Sequence, residues 1–279
     1  MATIEELKGK TAVVTGGASG IGKALAARCC AAGMNVVLGD VELKVLEATR
    51  DELAQGKANV IGVVTDVSRP EEIERLAAKT LDAFGSADLL FNNAGVGAGT
   101  TVWESTLEDW RWVIGVNLWG VIHGIRTFVP IMLKQNRPAH IINTASIAGL
   151  VRGHHSAAYA TTKHAVVALT EQLALEFERT HAPIKASVLC PSWVNTRINE
   201  AGRNRPKNLQ NKTAAPPPTP EMIKTWERMQ KFIQQATSPA EIADSVFEEG
   251  IRQEKLYIIP HKETAQYIKN RFDGIIKDV

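Results

Sequence analysis

The chain has 279 residues, 44% of them apolar, with 32 Lys plus Arg against 30 Asp plus Glu and a formal net charge of +2. That length carries one large α/β domain or two small ones, and the apolar share is that of a soluble globular protein with a sizeable core. The near balance of charge speaks against a nucleic acid or an anionic membrane as main partner, and Arg203-Asn204-Arg205-Pro206-Lys207 reads as solvated loop.

Short apolar runs alternate with longer helical patterns along the chain. Lys10 to Thr15 reads as a buried strand, Ile21 to Ala32 as a helix ended by Gly33, and Asn35 to Asp40 as a second strand. A helix follows from Glu42 to Ala54, then a third strand from Asn59 to Val64. Ser68-Arg-Pro-Glu71 has the form of a capping box with Pro in the first turn, opening a helix to Phe84. Asp88 to Asn92 reads as a fourth strand. Ser105 and Thr106, with Glu108 and Asp109 behind them, open a long helix to Gln135. His140 to Thr144 is a fifth strand, and the next helix carries Tyr159 and Lys163 and runs to Arg179. Lys185 to Cys190 is a sixth strand stopped by Pro191, and Lys255 to Pro260 a seventh. Continuously apolar strands alternating with helices predict one Rossmann-type, doubly wound parallel α/β sheet of about seven strands with helices on both faces, spanning 1–279.

One stretch breaks the rhythm. From 199 to 235 the composition turns polar and proline-rich, then gives a helical piece with Ile223, Trp226, Met229 and Ile233 on one side. Its place after the sixth strand predicts a lid over a ligand site at the carboxyl ends of the strands.

The three cysteines, two of them adjacent at 29 and 30, offer no disulfide framework and point to a reducing compartment. Met1 to Lys10 carries Glu5 and Glu6 and no apolar run, which is unlike a signal peptide. No stretch approaches ~18 uninterrupted apolar residues, so no membrane span and a cytoplasmic location are expected.

The chemistry-bearing residues fall at strand ends. Thr15-Gly-Gly-Ala-Ser-Gly-Ile-Gly22 joins the first strand to the first helix; Gly16, Ser19, Gly20, Ile21 and Gly22 suit close backbone approach to a pyrophosphate at a helix start. The spacing is G-x-x-x-G-x-G, not the commoner G-x-G-x-x-G. Asp40 ends the second strand, where an acid accepts hydrogen bonds from both hydroxyls of an adenosine ribose and repels a 2′-phosphate. No Arg or Lys stands at 19 or 41, so NAD is favoured over NADP. Tyr159 and Lys163 lie one helical turn apart, and a cation beside a phenol favours the phenolate. The adjacent His154 and His155 lack an accompanying carboxylate pattern, so no metal is expected.

Together these residues resemble the short-chain dehydrogenase/reductase family from about Gly9 to Ile198. Asp66, with Val67 beside it, resembles the acid that holds the adenine amino group, and Asn93, Ala94 and Gly95 belong to an N-N-A-G element that shapes the cofactor site. Asn117, Ser146, Tyr159 and Lys163 resemble the family's catalytic tetrad. Pro191-Ser-Trp-Val-Asn-Thr196 resembles the P-G-x-x-x-T segment along the nicotinamide, which brings in Val194 and Thr196, with Ser192 where Gly is usual. The resemblance implies hydride transfer between NAD(H) and a carbonyl/alcohol pair. Tyr159 would act as general acid or base, Ser146 would orient the substrate oxygen, and Lys163 would lower the Tyr159 pKa and hold the ribose. Asn117 would hold a water of a proton relay. It also implies a homo-oligomer, commonly a tetramer. The pocket wall is expected from Ala148 to His155, Trp193 and the 199–235 excursion, with Val96 to Trp103 opposite, which suits a medium or bulky hydrophobic alcohol or ketone. An NADP-dependent reductase and a cofactor-sensing module without turnover are the competing readings.

Overall fold

The computed structural model describes residues 4–56, 58–153, 156–212 and 219–279. Among them, seven strands form one sheet in the order β3-β2-β1-β4-β5-β6-β7, every neighbouring pair parallel. The strands are β1 (Thr11–Thr15), β2 (Asn35–Asp40), β3 (Val60–Val64), β4 (Leu89–Asn92), β5 (Ala139–Thr144), β6 (Ile184–Leu189) and β7 (Tyr257–Ile258). A turn of helix at Ile4–Leu7 precedes them. The helices are α1 (Gly20–Ala31), α2 (Leu43–Ala54), α3 (Pro70–Phe84), α4 (Leu107–Gln135), α5 (Ala157–Thr180), α6 (Pro220–Gln234), α7 (Pro239–Ser245) and α8 (Ala265–Lys277).

Strand periodicity sends alternate residues to opposite faces, and both faces are apolar, which is why the strands read as unbroken hydrophobic runs. On one face Ala12, Val14, Val36, Leu38 and Phe91 meet Leu25 and Cys29 of α1 and Ile242 of α7. On the other, Val13, Val37, Leu90 and Ile141 meet Leu76 of α3, Phe128 and Met132 of α4 and Phe177 of α5. The two faces are sealed independently, and the carboxyl ends of the strands open onto one cavity.

Three local expectations change, and the longest helix raises a fourth point. The seventh strand is two residues long rather than six, because only Leu189 and Val188 of β6 pair with it before the chain turns away. Ser68 does not cap α3: its hydroxyl and amide both bind Asp66 Oδ1, at 2.6 and 3.0 Å, and Arg69 is the N-cap without a side-chain cap. The nearer carboxylate wins the hydroxyl. The long α4 opens at Thr106 as expected, with a Thr106–Asp109 capping box, but widens into a π-helical turn at Gly115–Trp119. Finally, Leu107–Gln135 is long and apolar enough to cross a membrane by length and composition, with a mean hydropathy of 1.3. Here its Val113, Val121, Phe128 and Met132 are buried within the fold.

Candidate active site

The loops after six strands surround a cavity of about 890 Å³. Gly16, Ser19, Gly20 and Ile21 line it from the β1 end, Asp40 from β2, and Asp66 and Val67 from β3. Asn93, Ala94 and Gly95 follow β4, Ser146 follows β5, and Pro191 to Val194 with Thr196 follow β6. Tyr159 and Lys163 enter from α5. The cavity therefore straddles the switch of strand order at β1 and β4, where parallel α/β sheets bind ligands.

The glycine turn is built for backbone contact. Gly16 has φ +63°, and a Cβ there would lie 2.8 Å from Ala94 Cα. Gly22 does not line the cavity; a Cβ on it would lie 2.0 Å from the Gly16 carbonyl oxygen, so only glycine lets α1 start so close beneath the turn. Ser19 is the N-cap of α1 but makes no side-chain cap bond. Ser19, Gly20 and Ile21 at that helix start line the cavity, which fits a pyrophosphate. Asn93 fastens the turn from the other side, its amide donating to Thr15 O at 3.1 Å.

Asp40 accepts the Ala18 and Glu42 amides on its two oxygens, each at 3.0 Å. Burial raises its pKa, and those backbone N–H groups pull it back. Asp66 has one oxygen taken by Ser68. The acids stand at the ends of adjacent strands, on the side of the cavity away from Tyr159.

At the other end, the hydroxyls of Ser146 and Tyr159 are hydrogen-bonded to each other. Ser146 Oγ also accepts the Ala148 amide at 3.1 Å and donates to Pro191 O at 3.4 Å. Lys163 is 3% exposed; its Nζ donates to Thr144 O at 2.8 Å and stands 5.5 Å from the centre of the Tyr159 ring. The helical spacing thus brings phenol and ammonium together as expected. The sign of the effect on Tyr159 differs from the expectation. Burial holds its phenol above the ordinary 10.0, the Ser146 bond only partly offsets this, and burial pushes Lys163 down to about 8. Desolvation penalises each charged form more than the neighbour favours it.

Asn117 occupies the π-helical turn of α4, fully buried and off the cavity wall. Its Oδ1 accepts the Val96 amide at 2.8 Å and its Nδ2 donates to Val96 O at 2.9 Å. This explains an asparagine in mid-helix: it pairs with a loop backbone as a strand would. The Asn117 side chain thus fixes the loop after β4.

The expected substrate wall needs two corrections. Ala148 is fully buried in the turn after Ser146, and its neighbour Ile147 faces the cavity in its place. His154 and His155 lie outside the described residues. Of the 96–103 stretch, Val96 to Gly99 line the cavity, but Trp103 is 82% exposed and does not. Trp193 lines it as expected and meets Phe232 edge to face at 5.8 Å. On α6, Met229 and Ile233 reach the cavity while Ile223 stays exposed, and the Trp226 side chain and 213–218 lie outside the described residues. Ser192, in the usual glycine position, is outside the left-handed region; its amide donates to His261 Nδ1 at 3.1 Å.

Two ion pairs, invisible at sequence level, fix the excursion. Arg203 makes a forked contact with Glu42, its Nη2 and Nε reaching Oε1 at 2.7 and 3.1 Å. Arg205 Nη1 reaches Asp109 Oδ1 at 2.6 Å, with side chains 10% and 7% exposed, and its guanidinium lies 5.3 Å from the Trp112 ring centre. Ala201 and Leu209 then pack on Val96, Trp112 and Ala158. The pairs span large sequence separations, so no local pattern announces them.

A parallel sheet in this order, a glycine cradle at its switch point and a Ser–Tyr–Lys cluster in the same cavity define a dinucleotide-binding oxidoreductase. Residues 10–207 match the short chain dehydrogenase family, and the chain belongs to it. A solved short chain dehydrogenase/reductase from Burkholderia phymatum, in complex with NAD, is similar at 42% identity, covering 98% of this chain and 96% of that one with a TM-score of 0.92. The 1-deoxy-11-beta-hydroxypentalenate dehydrogenase of Streptomyces exfoliatus is 35% identical over 98% of this chain and 90% of its own. The CLA biosynthesis dehydrogenase/reductase of Lactiplantibacillus plantarum is 30% identical over 99% and 96%.

Proposed function

We propose that this oxidoreductase uses NAD(H) to interconvert a secondary alcohol and its ketone on a medium or bulky hydrophobic substrate. The observation that carries the proposal is the hydrogen-bonded Ser146–Tyr159 pair, with Lys163 beside it, in one cavity with Asp40 and the glycine cradle. A bound nicotinamide supplies the hydride chemistry.

The chain's residues supply the rest. Gly16 to Ile21 offer backbone to the pyrophosphate, and Asp40 accepts from the adenosine ribose. Ser146 orients the substrate oxygen, and Tyr159 gives it a proton in reduction and takes one in oxidation. Burial keeps the phenol protonated and ready to donate, and Lys163, charged below about pH 8, favours the phenolate when Tyr159 acts as base. Asn117 acts by holding Val96, at the substrate end of the loop. Val96, Trp112, Ile147, Trp193, Ala201 and Leu209 give an apolar pocket, and the 198–211 arm with α6 forms its outer wall.

Asp40 and the likeness to an NAD-bound relative support NAD over NADP. A homotetramer is proposed by family resemblance, and a sedimentation equilibrium run returning a monomer would remove it. The function is tested with a panel of secondary alcohols and ketones, read by nicotinamide absorbance with both cofactors. Turnover of bulky apolar members with NAD(H) is expected. Turnover confined to small polar members, or tighter binding of NADPH than NADH, would overturn the reading.

A further inference from the structure

We propose that Glu42 is a second cofactor-specificity residue: by occupying the Arg203 guanidinium, it denies a 2′-phosphate the cation that would bind it. The inference rests on the NAD reading above and extends it to a residue contributed by the far arm of the chain.

Asp40, Glu42, Arg203 and Asn204 line the same end of the cavity. The Glu42 amide donates to Asp40 Oδ1 at 3.0 Å, so the two carboxylates leave the backbone within one turn. Arg203 comes from the opposite side, on the 3₁₀ segment Ile198–Asn204 after β6. All three of its guanidinium nitrogens are engaged: Nε and Nη2 on Glu42, at 3.1 and 2.7 Å, and Nη1 on the Arg197 carbonyl at 3.2 Å. Asn204 Nδ2 adds a third bond to Glu42 Oε1, at 3.0 Å. The side chains are 26% and 20% exposed, so the pair is only partly screened by water.

The consequence is electrostatic. Arg203 is a guanidinium on the wall beside Asp40, and a guanidinium fork matches phosphate as well as carboxylate. With Glu42 in place its charge is cancelled and each of its nitrogens already has an acceptor. Asp40 beside it keeps its charge uncompensated, since it accepts from neutral backbone N–H groups. Discrimination is a difference between two affinities, and blocking the competitor's partner widens it as surely as a contact to the right ligand. Glu42 is well suited to be varied: it is the N-cap of α2 yet makes no capping bond, so its loss does not uncap the helix.

The test measures dissociation constants for NADH and NADPH by nicotinamide fluorescence, in wild type, Glu42→Ala, Glu42→Ala/Arg203→Met and Arg203→Gln. Two fragments, 5′-AMP and adenosine 2′,5′-bisphosphate, isolate the adenosine end. Glu42→Ala is expected to tighten NADPH and the bisphosphate about tenfold, one charge-assisted contact, with NADH changing less than about threefold. The gain should shrink as salt rises, and the double variant should lose it. Arg203→Gln, which leaves Glu42 unpaired at the rim, is expected to weaken NADPH more than NADH, and it supplies an arm that does not depend on Glu42→Ala folding. If Glu42→Ala and the double variant bind NADPH alike, or if Arg203→Gln affects both cofactors equally, the pair merely fastens the arm and the inference is wrong. The NAD reading is judged separately, by the wild-type preference, whereas this one is judged by how that preference moves.

Discussion

Lys163 is a buried ammonium whose proton equilibrium should be readable in the folding energy. Its pKa falls from 10.5 to about 8 on burial, and it is 3% exposed. A shift of that size is worth about 3 kcal/mol against the charged folded state at neutral pH. The unfolded chain holds the proton up to its ordinary value and the folded chain releases it lower. Between about pH 8 and 10.5 the unfolded state therefore binds more protons, and stability from this residue rises with pH. Lys163→Met removes the titration while keeping most of the volume. It also leaves the Thr144 carbonyl without this donor, a cost that does not change with pH. Unfolding by urea at pH 7 and pH 9.5, at fixed protein concentration and without cofactor, gives the difference between wild type and Lys163→Met at each pH. That difference should move by about 2 kcal/mol in favour of wild type at the higher pH. A difference that stays flat would mean that Lys163 keeps an ordinary pKa, and the buried-ammonium account would fail.

Tyr159→Phe removes the proton donor while leaving the ring in place, and turnover should fall at least ~10³-fold with NADH affinity within about threefold. Stopped-flow and fluorescence titration check the two halves; a variant with near-normal turnover would refute the assignment. Gly22→Ala would force a methyl to within 2.0 Å of the Gly16 carbonyl oxygen. NADH binding should weaken more than tenfold or the protein should fail to fold, while an unaltered affinity would show that the turn yields freely. Arg205→Ala leaves Asp109 buried without its main partner and should destabilise the chain by about 3 kcal/mol in thermal or urea unfolding. It should also raise KM for substrate more than it changes NADH affinity; unchanged stability and KM would mean the arm is held elsewhere.

The sheet was legible because strands buried on both faces are apolar throughout, and the glycines and Asp40 were legible because they must fall at strand ends. Tyr159 and Lys163 were legible as a pair because helix geometry alone sets their spacing. What escaped the sequence depends on distance and burial. The direction of the Tyr159 shift follows from enclosure by residues from several elements, which no helical spacing encodes. Ser68 matched a capping pattern, but the choice between its own helix and Asp66 is made in three dimensions. Ala148 sits one residue past the wall because the turn after Ser146 presents Ile147 to the cavity. The Asn117–Val96 pairing and both arginine pins join residues that only the fold makes neighbours.

The two arginines that pin the arm have a consequence for anyone who would retune this enzyme. Arg203 and Arg205 are two positions apart, yet they hold carboxylates from different elements, Glu42 at the start of α2 and Asp109 in α4. The arm is a strut bolted at two neighbouring points near its middle. On either side of the bolts, Ala201 and Leu209 pack inward. A graft from a relative that brings a new inner lining but omits either bolt would lose its footing, whereas exchanging only the lining leaves the strut standing.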